Sequence, residues 1–365
     1  MPAIFETFTL KGVTLRNRTV VSPMCQYMAH DGEFNDWHRV HYPSFARGGA
    51  GLVIVEATAV SPEGRITWAD SGLWNDRQAE LLKPIVSEIK QWGAAAGIQI
   101  AHAGRKAATN RPWEGDDQIP LGEPNSWEAI APSALAFGSP GMMRAPREMT
   151  LDDIARVQAD TVATAVRARD VGFDWLQLHM AHGYLAQNFF SPISNHRIDR
   201  YGGSAENRAR YLLETFTAVR KVWPEDRPLQ VRLGCIEFHG DDEAMLGESI
   251  ALLQQMKRKG LDSVDVSIGF NTPEAKIPWG ANFMGDVAAR VRRATGLPTT
   301  TSWYVSDPKE ADVLVREEKI DLVTLGRPFL ANPHWPYRAA KELGVENAAW
   351  STLPAAYAHW LARYR

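Results

Sequence analysis

The stretch Gly172-Phe173-Asp174-Trp175-Leu176-Gln177-Leu178-His179-Met180-Ala181-His182-Gly183-Tyr184 decides how the rest of the chain is read. If Trp175 to Met180 is a strand, alternation turns Leu176 and Leu178 to one face and Gln177 and His179 to the other. The strand then ends in His179-x-x-His182-x-Tyr184. Two of these groups titrate or hydrogen-bond near neutral pH, and the third is a phenol that can give a proton. Strand ends that carry chemistry are a property of particular folds, so the flanking pattern becomes the next question.

On the N-terminal side, 19–24, 52–57 and 97–102 read as strands, the first ended by Pro23, the second nearly continuous in apolar residues. On the C-terminal side, 229–234, 263–268, 298–303 and 321–326 read the same way. Between them lie helical patterns at 37–47, 75–92, 150–170, 204–222, 247–258, 287–294 and 308–317, with Gly48-Gly49 and Gly93 as stops and Thr150-Leu151-Asp152-Asp153 as a capping box. Eight strands alternating with helices predict a single (β/α)8 TIM barrel, one domain over 1–365, rather than a doubly wound sheet. The Pro-, Gly- and Trp-rich segment 104–148 has no clear period and predicts an insertion over the carboxyl ends of the strands, the reactive face of such a barrel. The tail 353–365, with Tyr357, Trp360 and Tyr364 in rough helical spacing, predicts a docked end and argues against a monomer.

Composition narrows the function classes. The 365 residues carry a net charge of -3, with no run of Lys and Arg to track phosphates, which disfavours nucleic acid. Two cysteines, Cys25 and Cys235, make no disulfide framework. No apolar run is long enough to span a bilayer and the N-terminus has no basic region followed by an apolar one, so the expectation is a cytoplasmic protein away from membranes. Thirteen tryptophans fill a core or line a pocket for a flat ligand.

Other strand ends add candidates. Arg232 projects from the same face as Gln230, as Gln99 alternates with Ile98 and Ile100; a guanidinium inside a barrel needs an acceptor, either a salt-bridge partner or an electron-rich ring edge. Trp303-Tyr304 and Gly326-Arg327 occupy the loops where barrels seat a phosphate, although glycine as a turn former is an adequate alternative. Cys25 is equally a buried small hydrophobe. His102 and Glu56 at other strand ends leave a metal-dependent hydrolase open, weakened by the lack of a carboxylate where Gly326-Arg327 stands. No Gly-x-Gly-x-x-Gly follows a strand, against a Rossmann-bound nicotinamide.

Assembled, Pro23-Met24-Cys25-Gln26-Tyr27, Gln99-Ile100-Ala101-His102-Ala103-Gly104-Arg105, His179-Met180-Ala181-His182-Gly183-Tyr184-Leu185, the run from Asn195 through Arg197, Asp199 and Tyr201-Gly202-Gly203-Ser204 to Glu206-Asn207-Arg208, and Gly326-Arg327 resemble the Old Yellow Enzyme family, thermophilic-like subclass, over nearly the whole chain. The resemblance implies non-covalent FMN surrounded by Pro23, Met24, Cys25, Ala57, Gln99 and Arg232, with Trp303, Gly326 and Arg327 toward its phosphate. It implies NADPH or NADH as hydride donor and activated alkenes (enones, enals and nitro compounds) as acceptors. It further implies an oxygen clamp in His179 and His182, a proton donor in Tyr184, and a substrate wall of Tyr27, Trp303 and Trp360, the last from a neighbouring subunit of a homodimer or homotetramer. No metal is implied. One departure stands out: the family usually has glycine just after strand seven, where Tyr304-Val305 follows Trp303 here.

Overall fold

The computed structural model describes residues 1–138 and 143–364. Eight strands close into a barrel: β1 (Thr19–Val21), β2 (Leu52–Ala59), β3 (Ala95–Ala101), β4 (Trp175–Met180), β5 (Leu229–Ile236), β6 (Ser263–Ile268), β7 (Thr299–Thr301) and β8 (Leu322–Leu325). Every neighbouring pair is parallel, including β8 with β1, which completes the ring. Parallel strands covered by helices are buried on both faces, which is why all eight residues of β2 are buried and its sequence is apolar apart from Glu56 and Thr58.

The outer helices are α1 (Asp36–Arg47), α2 (Asp76–Gln91), α3 (Leu151–Val171), α4 (Ala205–Arg220), α5 (Asp242–Arg258), α6 (Gly285–Thr295) and α7 (Pro308–Arg316). In α2 the side chains of Leu82, Ile85, Val86 and Ile89 make one buried stripe. Each such residue contributes about 1.5–3 kcal/mol on leaving water. The Thr150 hydroxyl accepts from the Asp153 amide at 3.1 Å and the Asp153 carboxylate from the Thr150 amide at 2.9 Å, the capping box read in the sequence.

Several element boundaries differ from the sequence reading. Helix α5 starts five residues earlier than Gly247, because Asp241 caps it by accepting from the Ala244 amide at 3.0 Å. Strand β7 stops at Thr301, so Ser302 and Trp303 already belong to the loop above it. The 104–148 segment is partly structured: Ile130–Ala131 pairs with Arg147–Glu148, and buried Arg197 donates to the carbonyls of Pro132 at 2.9 Å and Met149 at 2.6 Å. A hairpin missed in the sequence, Phe8–Leu10 with Val13–Leu15, closes the amino-terminal end of the barrel over Leu52, Ile54, Trp175 and Leu322.

Inside the barrel, alternation places polar side chains that must satisfy one another. Gln99 donates to Gln177 at 2.6 Å, and Gln177 donates to Gln230 at 2.8 Å, where the Trp175 indole also donates at 3.1 Å. Above this layer the strand ends open toward the mouth. Among the described residues no helix is long and apolar enough to cross a membrane.

Truncating Phe216, fully buried on α4, leaves a cavity between helix and barrel. Phe216→Ala is expected to lower stability by about 3–5 kcal/mol. Val40→Ala, at a site 73% exposed on α1, should change it by no more than about 0.5 kcal/mol. Chemical denaturation of the two variants side by side checks the contrast; comparable losses would contradict the packing described.

Candidate active site

Strand register brings the central residues together. Pairing of β4 with β5 sets His179 beside Arg232, and pairing of β5 with β6 sets Arg232 beside Asp265. The Arg232 Nε lies 3.2 Å from the Asp265 carboxylate, an ion pair without hydrogen-bond alignment, and its guanidinium donates to the Ser302 hydroxyl at 2.5 Å. The salt-bridge partner allowed for in the sequence is therefore present.

Beyond β4 the chain turns sharply. His182 and Gly183 both have positive φ, +62° and +69°. A Cβ on Gly183 would meet the Phe270 carbonyl oxygen at 2.4 Å, so only glycine fits there. This turn gathers the three rings: His179 and His182 centroids are 4.9 Å apart, His179 and Tyr184 5.1 Å, His182 and Tyr184 6.3 Å. Burial, then the Arg232 charge, holds both imidazoles well below the usual histidine range, so both are neutral. Burial, then the nearby Cys25 and Asp70, pushes the Tyr184 phenol up, so it keeps its proton at neutral pH. The His179 Nδ1 is buried with no hydrogen-bond partner among the described residues.

Next to the rings opens a cavity of about 780 Å³. Pro23, Met24, Arg232, Trp303, Gly326 and Arg327 line it together with His182. Cys25, Ala57 and Gln99 do not: Cys25 meets the Ala57 backbone and the Tyr27 side chain, while Gln99 lies a layer lower, bonded to Gln177. The Trp303 indole turns to the histidines, 5.7 Å from His182, and donates to the Ser267 hydroxyl, which also bonds the His182 Nε2 at 2.7 Å. Tyr304 takes φ +54° where glycine is the usual residue, and its ring lies under the Arg327 guanidinium at 5.6 Å. Tyr27, also at positive φ, stands edge-on to Trp113 at the rim. Trp360 is not brought to this mouth either; it sits 71% exposed on the tail helix Ala355–Leu361.

The alternative metal ligands are not assembled. Glu56 is bonded to Tyr42, His38 and the Gln26 amide, and His102 lines a small void with Thr161 and Thr215 of the outer helices.

A cavity of this size beside a buried arginine, an unpartnered imidazole nitrogen and the exposed cation of Arg327 fits a flat, anionic cofactor with a phosphate. Residues 3–346 match the model of the NADH:flavin oxidoreductase / NADH oxidase family. The chain belongs to the Old Yellow Enzyme family. It is an oxidoreductase with FMN as cofactor. It is 42% identical over 345 residues to an NADPH dehydrogenase of Geobacillus thermodenitrificans, covering 94% of this chain and 95% of that one. It is 41% identical over 347 residues to an NADPH dehydrogenase of Listeria monocytogenes, covering 94% and 96%. A solved structure of morphinone reductase in complex with tetrahydroNAD superposes with a TM-score of 0.77 at 28% identity, covering 95% of this chain and 92% of that one.

Sequence reasoning missed Asp265, Ser267 and Lys106. Asp265 carries the same alternation signal as Arg232. Lys106 follows the third strand end within the quoted Gly104-Arg105 context, where a cation among apolar neighbours is the available clue. Its ammonium donates to the carbonyls of His182 at 2.7 Å and Phe270 at 2.8 Å and lies 4.1 Å over the Phe137 ring. It thus ties the left-handed turn to the loop after β6.

Burial, then the Arg105 charge, lowers the Lys106 pKa to about 7. An unfolded lysine titrates near about 10.4. Between these values the unfolded chain binds the proton that the native site has released, so this group's contribution to stability rises with pH from about 7 to about 10. Lys106→Met cannot titrate. The stability of the wild type relative to Lys106→Met should therefore climb over that window in denaturation experiments; a difference independent of pH would contradict the assignment.

Proposed function

We propose that the chain is an ene-reductase that draws hydride from NADPH or NADH and reduces the activated C=C bond of enones, enals and nitroalkenes. The observation that carries this reading is the convergence of two neutral imidazoles and one protonated phenol within 4.9–6.3 Å beside the cofactor cavity. The names of the relatives, NADPH dehydrogenase, and of the morphinone reductase complex with tetrahydroNAD support a nicotinamide donor.

FMN, when bound, supplies a carrier that takes hydride from the nicotinamide and passes it to the alkene. Pro23, Met24, Cys25, Ala57, Gln99 and Arg232 would hold its ring, and Trp303, Gly326 and Arg327 its phosphate end. His179 and His182 donate hydrogen bonds to the substrate's carbonyl or nitro oxygen and stabilise the negative charge that develops there. Neutral rings suit this role, since each keeps one N–H to donate while adding no charge to an already cationic neighbourhood at Arg232. Tyr184 Oη gives its proton to the α-carbon. A phenol whose pKa is raised by burial retains that proton until the carbon becomes strongly basic, which ties proton transfer to hydride arrival. Tyr27 and Trp303 wall the substrate. Trp360, exposed on the tail helix, completes the wall of a second copy's mouth in a homodimer or homotetramer.

Tyr184→Phe should slow alkene reduction by about 10²–10⁴-fold while leaving bleaching of the yellow protein by anaerobic NADPH within about twofold. Stopped-flow measurement of the two half-reactions, with 2-cyclohexenone as acceptor, separates them; equal losses in both would remove the proton-donor role. His179→Ala should weaken binding of a phenol that mimics the enolate, by about tenfold for one lost hydrogen bond to a charged oxygen. Unchanged spectral titration would sink the clamp.

A further inference from the structure

The buried carboxylate of Glu56 takes no part in the chemistry above, yet it lies directly behind the mouth. Glu56 is on β2, 1% exposed, and is surrounded by donors. Its Oε1 accepts from the Tyr42 hydroxyl at 2.8 Å and faces His38 Nε2 at 3.2 Å; its Oε2 accepts from the Gln26 amide at 2.6 Å. His38 is held from its other side as well: its Nδ1 lies 3.1 Å from both the amide nitrogen and the side-chain oxygen of Asn35 in the cap of α1, which keeps Nε2 facing Glu56. Tyr42, His38 and the Gln26 amide thus converge on the two carboxylate oxygens and fix the side chain in place.

We propose that Glu56, fixed by Tyr42 and His38, is the positioning residue that locks the Cys25–Gln26–Tyr27 segment against the barrel mouth through the Gln26 amide. Two features of that segment show that it needs an anchor. Tyr27 holds φ +53°, a conformation side chains adopt only where their surroundings impose it. The remaining ties next to that amide are weaker: the Gln26 side chain donates to the Met24 carbonyl at 2.8 Å, partly shielded, and accepts from the Trp37 indole at 3.3 Å, exposed to water. The Glu56 bond is the short, charge-assisted one, and it comes from a rigid strand.

The anchor also sets the electrostatics at Cys25. Burial first, then Asp70, then Glu56 push the Cys25 thiol up, opposed by bonds from Tyr27 and the Ala57 backbone, so the sulfur stands at the mouth as a neutral thiol. The ionisable groups facing it are thus Asp70, Glu56, Tyr27 and, across the mouth, Tyr184, together with Tyr42 behind Glu56. Only in assigning Tyr27 to the substrate wall does the proposal rest on the ene-reductase reading.

The test is alkylation of the FMN-loaded protein by iodoacetamide, with Cys25 followed by mass spectrometry from pH 6 to 10 and no alkene present. Glu56→Gln keeps the shape but must turn its NH2 toward at least one of the three donors, and it removes the charge. Alkylation of Cys25 at pH 8 should rise severalfold, and its pH profile should move to lower pH. A folded variant with unchanged rate and profile overturns the proposal. Should Glu56→Gln fail to fold, hydrogen exchange of the wild type decides: a Gln26 amide protected well beyond that of exposed Gly115 supports the anchor, and equal exchange overturns it. Neither readout depends on alkene reduction, so failure here and failure of the ene-reductase reading are distinguishable.

Discussion

Arg232 sits beside His179 because β4 and β5 are in parallel register, and the consequences of that pairing reach every part of the mouth. A guanidinium 5% exposed cannot stand alone in a barrel, so Asp265 on the next strand and Ser302 above β7 are drawn to it. The same charge, added to burial, keeps both imidazoles neutral. A neutral pair can present N–H groups to a substrate oxygen without competing with Arg232 for negative charge. In the polar layer beneath, Gln99 to Gln177 to Gln230, each amide donates to the next across the barrel interior.

Above the strands, geometry is maintained by backbone atoms held from a distance. His182 and Gly183 turn through left-handed conformations that their own sequence does not favour for histidine. Lys106 stabilises that turn by donating to the carbonyls of His182 and Phe270, joining the loops after β3, β4 and β6 into one unit. Glu56 does the corresponding work at the first strand, where the Gln26 amide is its handle. Buried charges at these two points cost desolvation, and each is compensated by several hydrogen bonds, which favours one loop arrangement over the alternatives.

The cavity draws on the loops after β1, β7 and β8 and the ring cluster on the turn after β4, with His182 common to the two. Trp303 belongs to both: its loop lines the cavity and its indole packs on His182. Tyr304 at positive φ next to it gives Arg327 a ring to rest on at the rim of the cavity.

The sequence by itself determined the barrel and the residues at its strand ends. The nearly continuous apolar run in 52–57, period-3.6 helices between strands, and polar residues alternating with apolar ones at Gln99, Gln230 and Arg232 are local signals, set by the pitch of helix and strand. It also supplied the three rings, because His179, His182 and Tyr184 lie within six residues. The start of α5 was missed because Gly247 reads as a break, whereas the Asp241 cap lies upstream. Only the tertiary structure decided that Asp265 pairs with Arg232, that Ser267 bridges His182 and Trp303, and that Lys106 and Glu56 hold loops distant in sequence. Such contacts depend on strand register and on which carbonyls or amides burial leaves without water, and neither quantity is written in any local pattern of residues.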